Sequence, residues 1–591
     1  YGIYVAHQTE ITGGTIKGGT YGIYQKNSNL AIGINDSEIS KENPEILGEQ
    51  YGLYINGGTI SYFDGILKGQ QDAYYGTINE YPDAAIIKED IETIDNVSYK
   101  VNYLMAQKNF CKVGETEYNS LQKAIDAVES EGTIEFIDDN LSKASVEMPD
   151  NKNITIDLKG HTYTTTQSLL NKGNLSIIDS SESKNGTITT DENINLIVNE
   201  NTLEISNVNL KKNNTNNYVV YSNSGKTYLN NIVITSSSTA IYVNNEDAKF
   251  ESITINTPKI GIENKKNLVV NTSTIITTEK AIYNSGTITI SGGKYSSENA
   301  NAVLNDNATT TINDGMFTSN KENAIVNYRG TTTFNNGTAI SNEASALVNK
   351  TYSFYGTYWH YYSGNLIING GIAKGKKYGV LVDDNGTKKV TITNGDIYGE
   401  QYGIYVAHQT EITGGTIKGG TYGIYQKNSN LIVGTNDKDV KINTPMIIGN
   451  EYGFYDNGGT ISFFDGILKG KTAGYYGTIN EYPDATLITN DEETIDGELY
   501  QTNYLIKQKN FCKVGEIEYN SLQKAIDTIE TSGEIEFIAS ISTKSPIEIP
   551  SNKNITIDLK GFTYSTTQSI TTRGNLTIKD SSEEKTGIII I

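Results

Sequence analysis

A small residue, an aliphatic residue and then often an asparagine recur along the middle of the chain. The pairs are Ala240-Ile241, Gly261-Ile262, Ala281-Ile282, Ala302-Val303, Ala324-Ile325 and Ala346-Leu347, spaced 21, 20, 21, 22 and 22 residues apart. Between them Ile and Val alternate with Thr, Ser, Asn and Lys, as in NSGTITISGG over 284–293. Alternation at period two predicts short strands with aliphatic residues inward and polar ones outward. Two or three such strands in each cycle of ~20–24 residues predict one coil of a β-solenoid, since leucine-rich repeats need a leucine consensus and propeller blades need about 40 residues. The small residue is expected where the backbone bends tightly and the coil interior is crowded. The asparagine is expected to take the left-handed conformation of a sharp turn and to stack on asparagines of neighbouring coils. Gly13-Gly14 and Gly414-Gly415 mark further corners.

A far longer period encloses this one. Shifted by 401 residues, the sequence overlaps itself without a gap, and residues 1–30 recur unchanged at 402–431. One segment breaks the strand pattern. Within SLQKAIDAVESEG (120–132), Leu121, Ala124, Ile125 and Val128 follow the i, i+3, i+4, i+7 spacing of an amphipathic helix. Asn119 or Ser120 is its expected N-cap and Gly132 its stop. Such a helix would cover the first coil, and both ends of a coil stack need covers against open sheet edges. Residues 77–115 lack the coil beat and read as the end of one stack and the junction to the next. The expected division is 1–98 as the end of one unit, 99–499 as a complete unit and 500–591 as the start of a third. Within the complete unit, 99–132 is junction and cap, 133–485 coils and 486–499 junction.

The runs Y-x-S-L-Q-x-A-I-D-x(5)-G-x-I-x-F (118–137), NITIDLKGHT (153–162) and GNLSIIDSS (173–181), repeated from 519, resemble the start of pectate-lyase-like β-helix domains of large, repetitive bacterial cell-surface proteins. The resemblance covers the start of each unit; further along, only the coil rhythm carries it. It implies an all-β, right-handed parallel β-helix, an extracellular or surface-appendage location, and a role in adhesion or as a stalk. The fold hosts lyases, hydrolases, tailspikes and binding proteins alike, so it does not fix function.

Composition narrows the field. Formal net charge is −22, and Arg329 and Arg573 are the two arginines. Polyanions would be repelled, which argues against nucleic-acid partners. No stretch has the apolar length of a membrane span. Cys111 and Cys512 are the same position in two copies, 401 residues apart, and read as buried thiols, with an intermolecular disulfide as the alternative.

Candidate chemistry is sparse. A uronate lyase needs a basic residue beside clustered acids holding Ca²⁺, but Arg329 in NYRGTT has no acidic cluster near it in sequence. An inverting hydrolase needs paired carboxylates. Asp138-Asp139 becomes Ala539-Ser540 in the next copy, and Asp383-Asp384 sits in the turn sequence VDDNGT. His161 becomes Phe562, and His7 and His408 are equivalent and isolated. No metal or catalytic residue is assigned, and no cofactor is expected; Ca²⁺ sites assembled from neighbouring coils stay open without named ligands.

One segment stands out. TYSFYGTYWHYYSG (351–364) concentrates Tyr352, Phe354, Tyr355, Tyr358, Trp359, His360, Tyr361 and Tyr362, holds the single tryptophan, and lengthens its coil to 33 residues between Ala346 and Gly379. Its expected roles are stacking on a glycan or receptor, contact with another copy, or packing on itself. The tyrosines of YGIY and YYGTINEY, read at two-residue spacing, predict a ladder on one face across coils. The leading expectation is a non-enzymatic surface protein whose repeats form rods, in tandem or in fibres, that contact a glycan or a cell-surface receptor. A polysaccharide-acting enzyme or tailspike on the same fold and a ligand-free structural filament are the alternatives.

Overall fold

Parallel, in-register stacking puts each residue on its counterpart in the next coil, so a side chain tolerated once must be tolerated throughout a column. The computed structural model follows this rule through most of its coils, and the described residues are all β apart from two seven-residue helices. It describes all residues except 36–38, 83–84, 356–358, 384–388 and 438, and in 351–363 it describes only the backbone. The chain divides into two compact units, residues 1–258 and 259–591.

In 259–591, Ile282 pairs with Val303, Val303 with Ile325 and Ile325 with Leu347, all in parallel strands. The longer strands Asn267–Thr277 and Thr287–Ser297 pair the same way, Leu268 to Ile288 and Val270 to Ile290. The aliphatic members of these columns are fully buried. In 1–258 the coils carry three short strands each, for example Asn153–Asp157, Thr162–Thr165 and Leu169–Asn171. These stack on Asn174–Ile178, Thr187–Thr190 and Ile197–Asn199 of the following coil. The parallel β-solenoid expected from the alternation is thus observed.

The small residues do sit in crowded interiors. Ala281, Ala302, Ala324 and Ala346 are fully buried, and a Cβ on Gly261 would lie 2.6 Å from the Ala281 carbonyl oxygen. The asparagines differ from expectation in one respect. Asn264, Asn284, Asn305, Asn327 and Asn349 stack as predicted, but they lie in strands and none has a positive φ. Their amides hydrogen-bond inside the coil, so no left-handed turn is required. Each Nδ2 donates to the next Oδ1 at 2.7, 2.9, 2.8 and 2.8 Å in turn. Asn305 Nδ2 also donates to the Ala308 carbonyl, and Thr310 donates to Asn305 Oδ1 at 2.8 Å. A shorter run, Asn171 to Asn199 at 2.7 Å, occupies the same kind of column in 1–258.

Both ends of a coil stack are covered. Ser120 caps helix α1 (Leu121–Ala127), its side chain accepting from the Lys123 N–H, and Ser521 does the same for α2 (Leu522–Thr528). The helix is shorter than predicted. Val128 turns extended and packs its methyls where a Cβ on Gly132 would meet them at 3.1 Å, so Gly132 belongs to the strand Glu131–Phe136. In 259–591, Glu498–Lys507 pairs antiparallel with the coil strand Ile467–Gly470 and folds back on Thr486–Ile495. The hairpin Ala85–Ile94 and Val97–Ala106 repeats this on Ile66–Gly69. Its outer strand carries Lys88, Glu89, Asp90 and Glu92 on exposed positions, which discourages further pairing. Buried Lys68, itself paired with Glu45 of a coil strand at 2.9 Å, pins it by an ion pair to Glu92 (2.8 Å), and buried Lys469 bonds Glu493 at 2.6 Å.

Cys111 and Cys512 are buried free thiols, pushed up to about 12 by desolvation. Neither is expected to react with a thiol reagent at pH 8 until the chain is unfolded, which a colorimetric thiol assay with and without denaturant checks. Asn305→Ala interrupts the buried amide column and strands its neighbours' polar atoms. It is expected to lower stability by about 2 kcal/mol, read as a lower denaturation midpoint.

Candidate functional site

The elongated coil is an antiparallel hairpin grown out of the solenoid. Leu347–Tyr355 begins as an ordinary coil strand, Leu347 pairing with Val380 and Asn349 with Val382. Beyond Lys350 it leaves the stack and is met by Trp359–Ser363 running back. Tyr352 pairs with Tyr362, Phe354 with His360 and Tyr355 with Trp359. Tyr358 lies outside the described residues, as do the side chains of the other seven candidates.

The hairpin is tied at its neck. The asparagine column ends where Val382 takes the place of a sixth amide, so Asn349 Nδ2 donates instead to the Gly364 carbonyl at 2.8 Å, closing the base. Position 364 must be glycine, because a Cβ there would stand 2.1 Å from Asn327 Nδ2.

The tyrosines form a second exposed feature, and its geometry corrects the two-residue expectation. In YGIY the tyrosines are three apart, and both face outward because the Gly and Ile between them are buried. In 259–591 they build two interleaved columns, Tyr378, Tyr402, Tyr422, Tyr452 and Tyr405, Tyr425, Tyr455, Tyr476. Ring centroids of Tyr402 and Tyr425, Tyr422 and Tyr455, and Tyr455 and Tyr476 lie 4.9, 4.5 and 4.8 Å apart, with planes within 16°. Ring faces are therefore spent on one another, at about 0.5–1.5 kcal/mol per pair. Edges and hydroxyls point outward, and Asn457 Nδ2 bonds the Tyr425 hydroxyl at 2.6 Å. The ribbon is cohesive rather than an open stacking platform, apart from half-exposed Tyr476 at its end.

The charged candidates are engaged locally. Arg329 Nη2 binds Asp306 Oδ1 at 2.5 Å and its guanidinium lies 4.9 Å from the Tyr328 ring centre. Asp138 accepts from the Asp139 N–H at 2.9 Å, and Asp139 accepts from the Thr162 N–H at 2.8 Å while lying 3.4 Å from His161 Nδ1. The two carboxylates thus serve a turn. Asp384 lies outside the described residues. His408 Nδ1 accepts from the Gln409 N–H at 2.5 Å.

Sequence reasoning missed one acidic assembly because its members come from different coils. Ligand oxygens of Glu534, Glu536 and Asp558 lie within 4.8 Å of one another. Ammonium groups already stand among them. Lys513 and Lys560 bind Glu536 at 3.0 and 3.1 Å, Lys579 binds Glu534 at 2.7 Å, and Lys560 and Lys579 each lie 3.6 Å from Asp558. In the preceding copy Thr133 replaces Glu534 and Ile178 replaces Lys579, while Glu135, Asp157, Lys112 and Lys159 keep the remaining ion pairs. Loss of one charge of each sign together is the behaviour of a balanced ion network, not of a cation cage.

In 1–258, buried Asp179 accepts three backbone N–H bonds, from Gly160 and Ser181 at 2.9 Å each and from Gly186 at 2.6 Å. Burial works against its charge, but these donors outweigh burial and hold the carboxyl below its usual range. A depressed native value stabilises the fold above the ordinary aspartate range, and the gain is lost as pH falls through the native value. Asp179→Asn is therefore expected to lower the melting temperature at pH 7 and to flatten its decline between about pH 4 and 2. Thermal melts across that range check it.

Compared with known proteins, the chain matches no family model, no curated protein and no solved structure.

Proposed function

We propose that this chain is part of a repetitive extracellular protein whose tandem β-helical units act as stiff display elements, each presenting an aromatic hairpin to a glycan or cell-surface receptor. The observation that carries this reading is the hairpin at Leu347–Ser363. It interrupts a regular column, is tied at its neck by the bond from Asn349 to Gly364, and places seven aromatic residues and one histidine outside the coil pattern. Tyrosine, tryptophan and histidine combine flat apolar faces with polar tips, the composition that recognises sugar rings and protein surfaces.

Three further observations support a stalk-like role. Covered sheet ends keep each coil stack from pairing at its edges. Stacked tyrosines stiffen the outer face. Asp138, Asp139, Asp306 and Glu536 are bound to backbone N–H groups, arginine or lysine. The pectate-lyase-like resemblance of 118–137 and 153–181 belongs to the same reading and suggests a bacterial surface location.

The test uses the 591-residue chain on a panel of immobilised polysaccharides, scoring retention and chain cleavage together. Retention without cleavage is expected, falling at least about tenfold in Trp359→Ala, which removes a stacking ring worth one to several kcal/mol at a binding hot spot. Cleavage of any polysaccharide would overturn the display reading in favour of an enzyme. Neither retention nor cleavage would favour a structural filament.

A further inference from the structure

One copy of the long repeat ends, and the next begins, across a very short connection. In residues 259–591 the closing strand ends at Lys507 and the next copy's first strand begins at Cys512. Gln508 still belongs to the earlier copy, its backbone N–H donating to Ala485 at 2.8 Å and its side-chain amide to Thr486 at 3.1 Å. Phe511 already belongs to the later copy, buried in its core with its ring 5.6 Å from that of Phe537. Only Lys509 and Asn510 lie between, and Asn510 donates to Glu518 at 3.2 Å. Two residues span about 7 Å at most.

Side chains bridge the same gap. Asp484, at the end of the earlier copy, accepts from the Ser521 hydroxyl at 2.8 Å, and Ser521 is the residue that caps α2. The other Asp484 oxygen accepts from Ser545. Lys544 lies over the Tyr482 ring at 5.2 Å. Residues 1–258 contain an independent instance. Lys143 lies over the Tyr81 ring at 4.4 Å, and the Gln107 side-chain amide donates to Leu141 at 2.8 Å. Phe110 is buried against Phe136 at 5.4 Å. Burial pushes the Lys143 ammonium below its ordinary value, as a cation partly desolvated on a ring requires.

We propose that the end of each copy, centred on Tyr482 and Asp484 and on Tyr81, is a docking surface for the N-terminal cap of the next copy, so that the joint between tandem copies is a fixed contact and not a free hinge. Each bridging bond is modest alone. The short tether gives the two surfaces an effective concentration in the millimolar range or above, which keeps even a weak contact closed. The inference rests on the tandem β-helix reading but needs no ligand, so its test is separate from polysaccharide retention.

The experiment measures the distance between spin labels at Lys471→Cys, on the earlier copy, and Glu583→Cys, on the later one, in the whole chain; both positions are exposed. The buried thiols Cys111 and Cys512 leave the labels to the introduced cysteines. One narrow distance distribution is expected. In the Tyr482→Ala, Asp484→Ala, Lys544→Ala chain, with its circular dichroism unchanged, the distribution is expected to widen by about twofold or more. Four glycines inserted after Lys509 lengthen the tether but spare the surfaces, so the narrow distance is expected to persist. A broad distribution in the unsubstituted chain, no widening in the triple variant, or widening on insertion alone would each overturn the proposal.

Discussion

Everything in this fold depends on hydrogen bonds made between coils. A solenoid has no centre, so each coil is completed only by the coil beneath and above it. Backbone groups meet this need through parallel pairing, and buried side-chain amides must meet it as well. The column from Asn264 to Asn349 is the clearest case, because each amide before Asn349 spends its donors on the next amide and on a carbonyl within its own turn. One member left without a partner exposes unsatisfied polar atoms on both sides. That shared dependence explains why the interior repeats the same residue type at the same beat.

The same constraint explains the irregular elements. Where a column stops, something must take up the last polar group or the last strand edge. At the end of the asparagine column, the Gly364 carbonyl does so and thereby anchors the aromatic hairpin. At the ends of the coil stacks, antiparallel hairpins and the serine-capped helices do so. The displayed element and the caps are therefore consequences of one rule, and departures from the beat mark where the molecule stops being periodic.

Much of this was legible in the sequence, and the reasons are physical. Period-two alternation and the Ala-Ile-Tyr-Asn beat at 281–284 specify strand, face and column together, so the parallel solenoid followed directly. The helix cap was legible to within one residue, Asn119 or Ser120, because polar side chains before an amphipathic run have one favoured use, and Ser120 is the one that accepts from the Lys123 N–H. The strand conformation of the ladder asparagines was not, since a single sequence does not say whether an amide serves its own turn or the next coil. The assembly of Glu534, Glu536 and Asp558 was hidden for a related reason: its members are brought together by coil stacking and not by spacing. The aromatic insertion announced itself by composition and coil length, although its antiparallel pairing and its neck depend on contacts that no spacing encodes.

The covers at the two ends of a coil stack have a consequence for how such a chain is made. Residues 1–30 and 402–431 are identical and pair with equivalent partners, Ile23 with Leu53 and Ile424 with Phe454. A nascent strand of one copy would be chemically indistinguishable from its counterpart in another, and tandem repeats are prone to misassembly for that reason. A helix that closes the first coil and a charged hairpin that closes the last give each copy its own beginning and end. Once both are in place, a strand arriving from a later copy finds no open edge to invade. The caps thus act as punctuation during synthesis, keeping near-identical sentences from being read into one another.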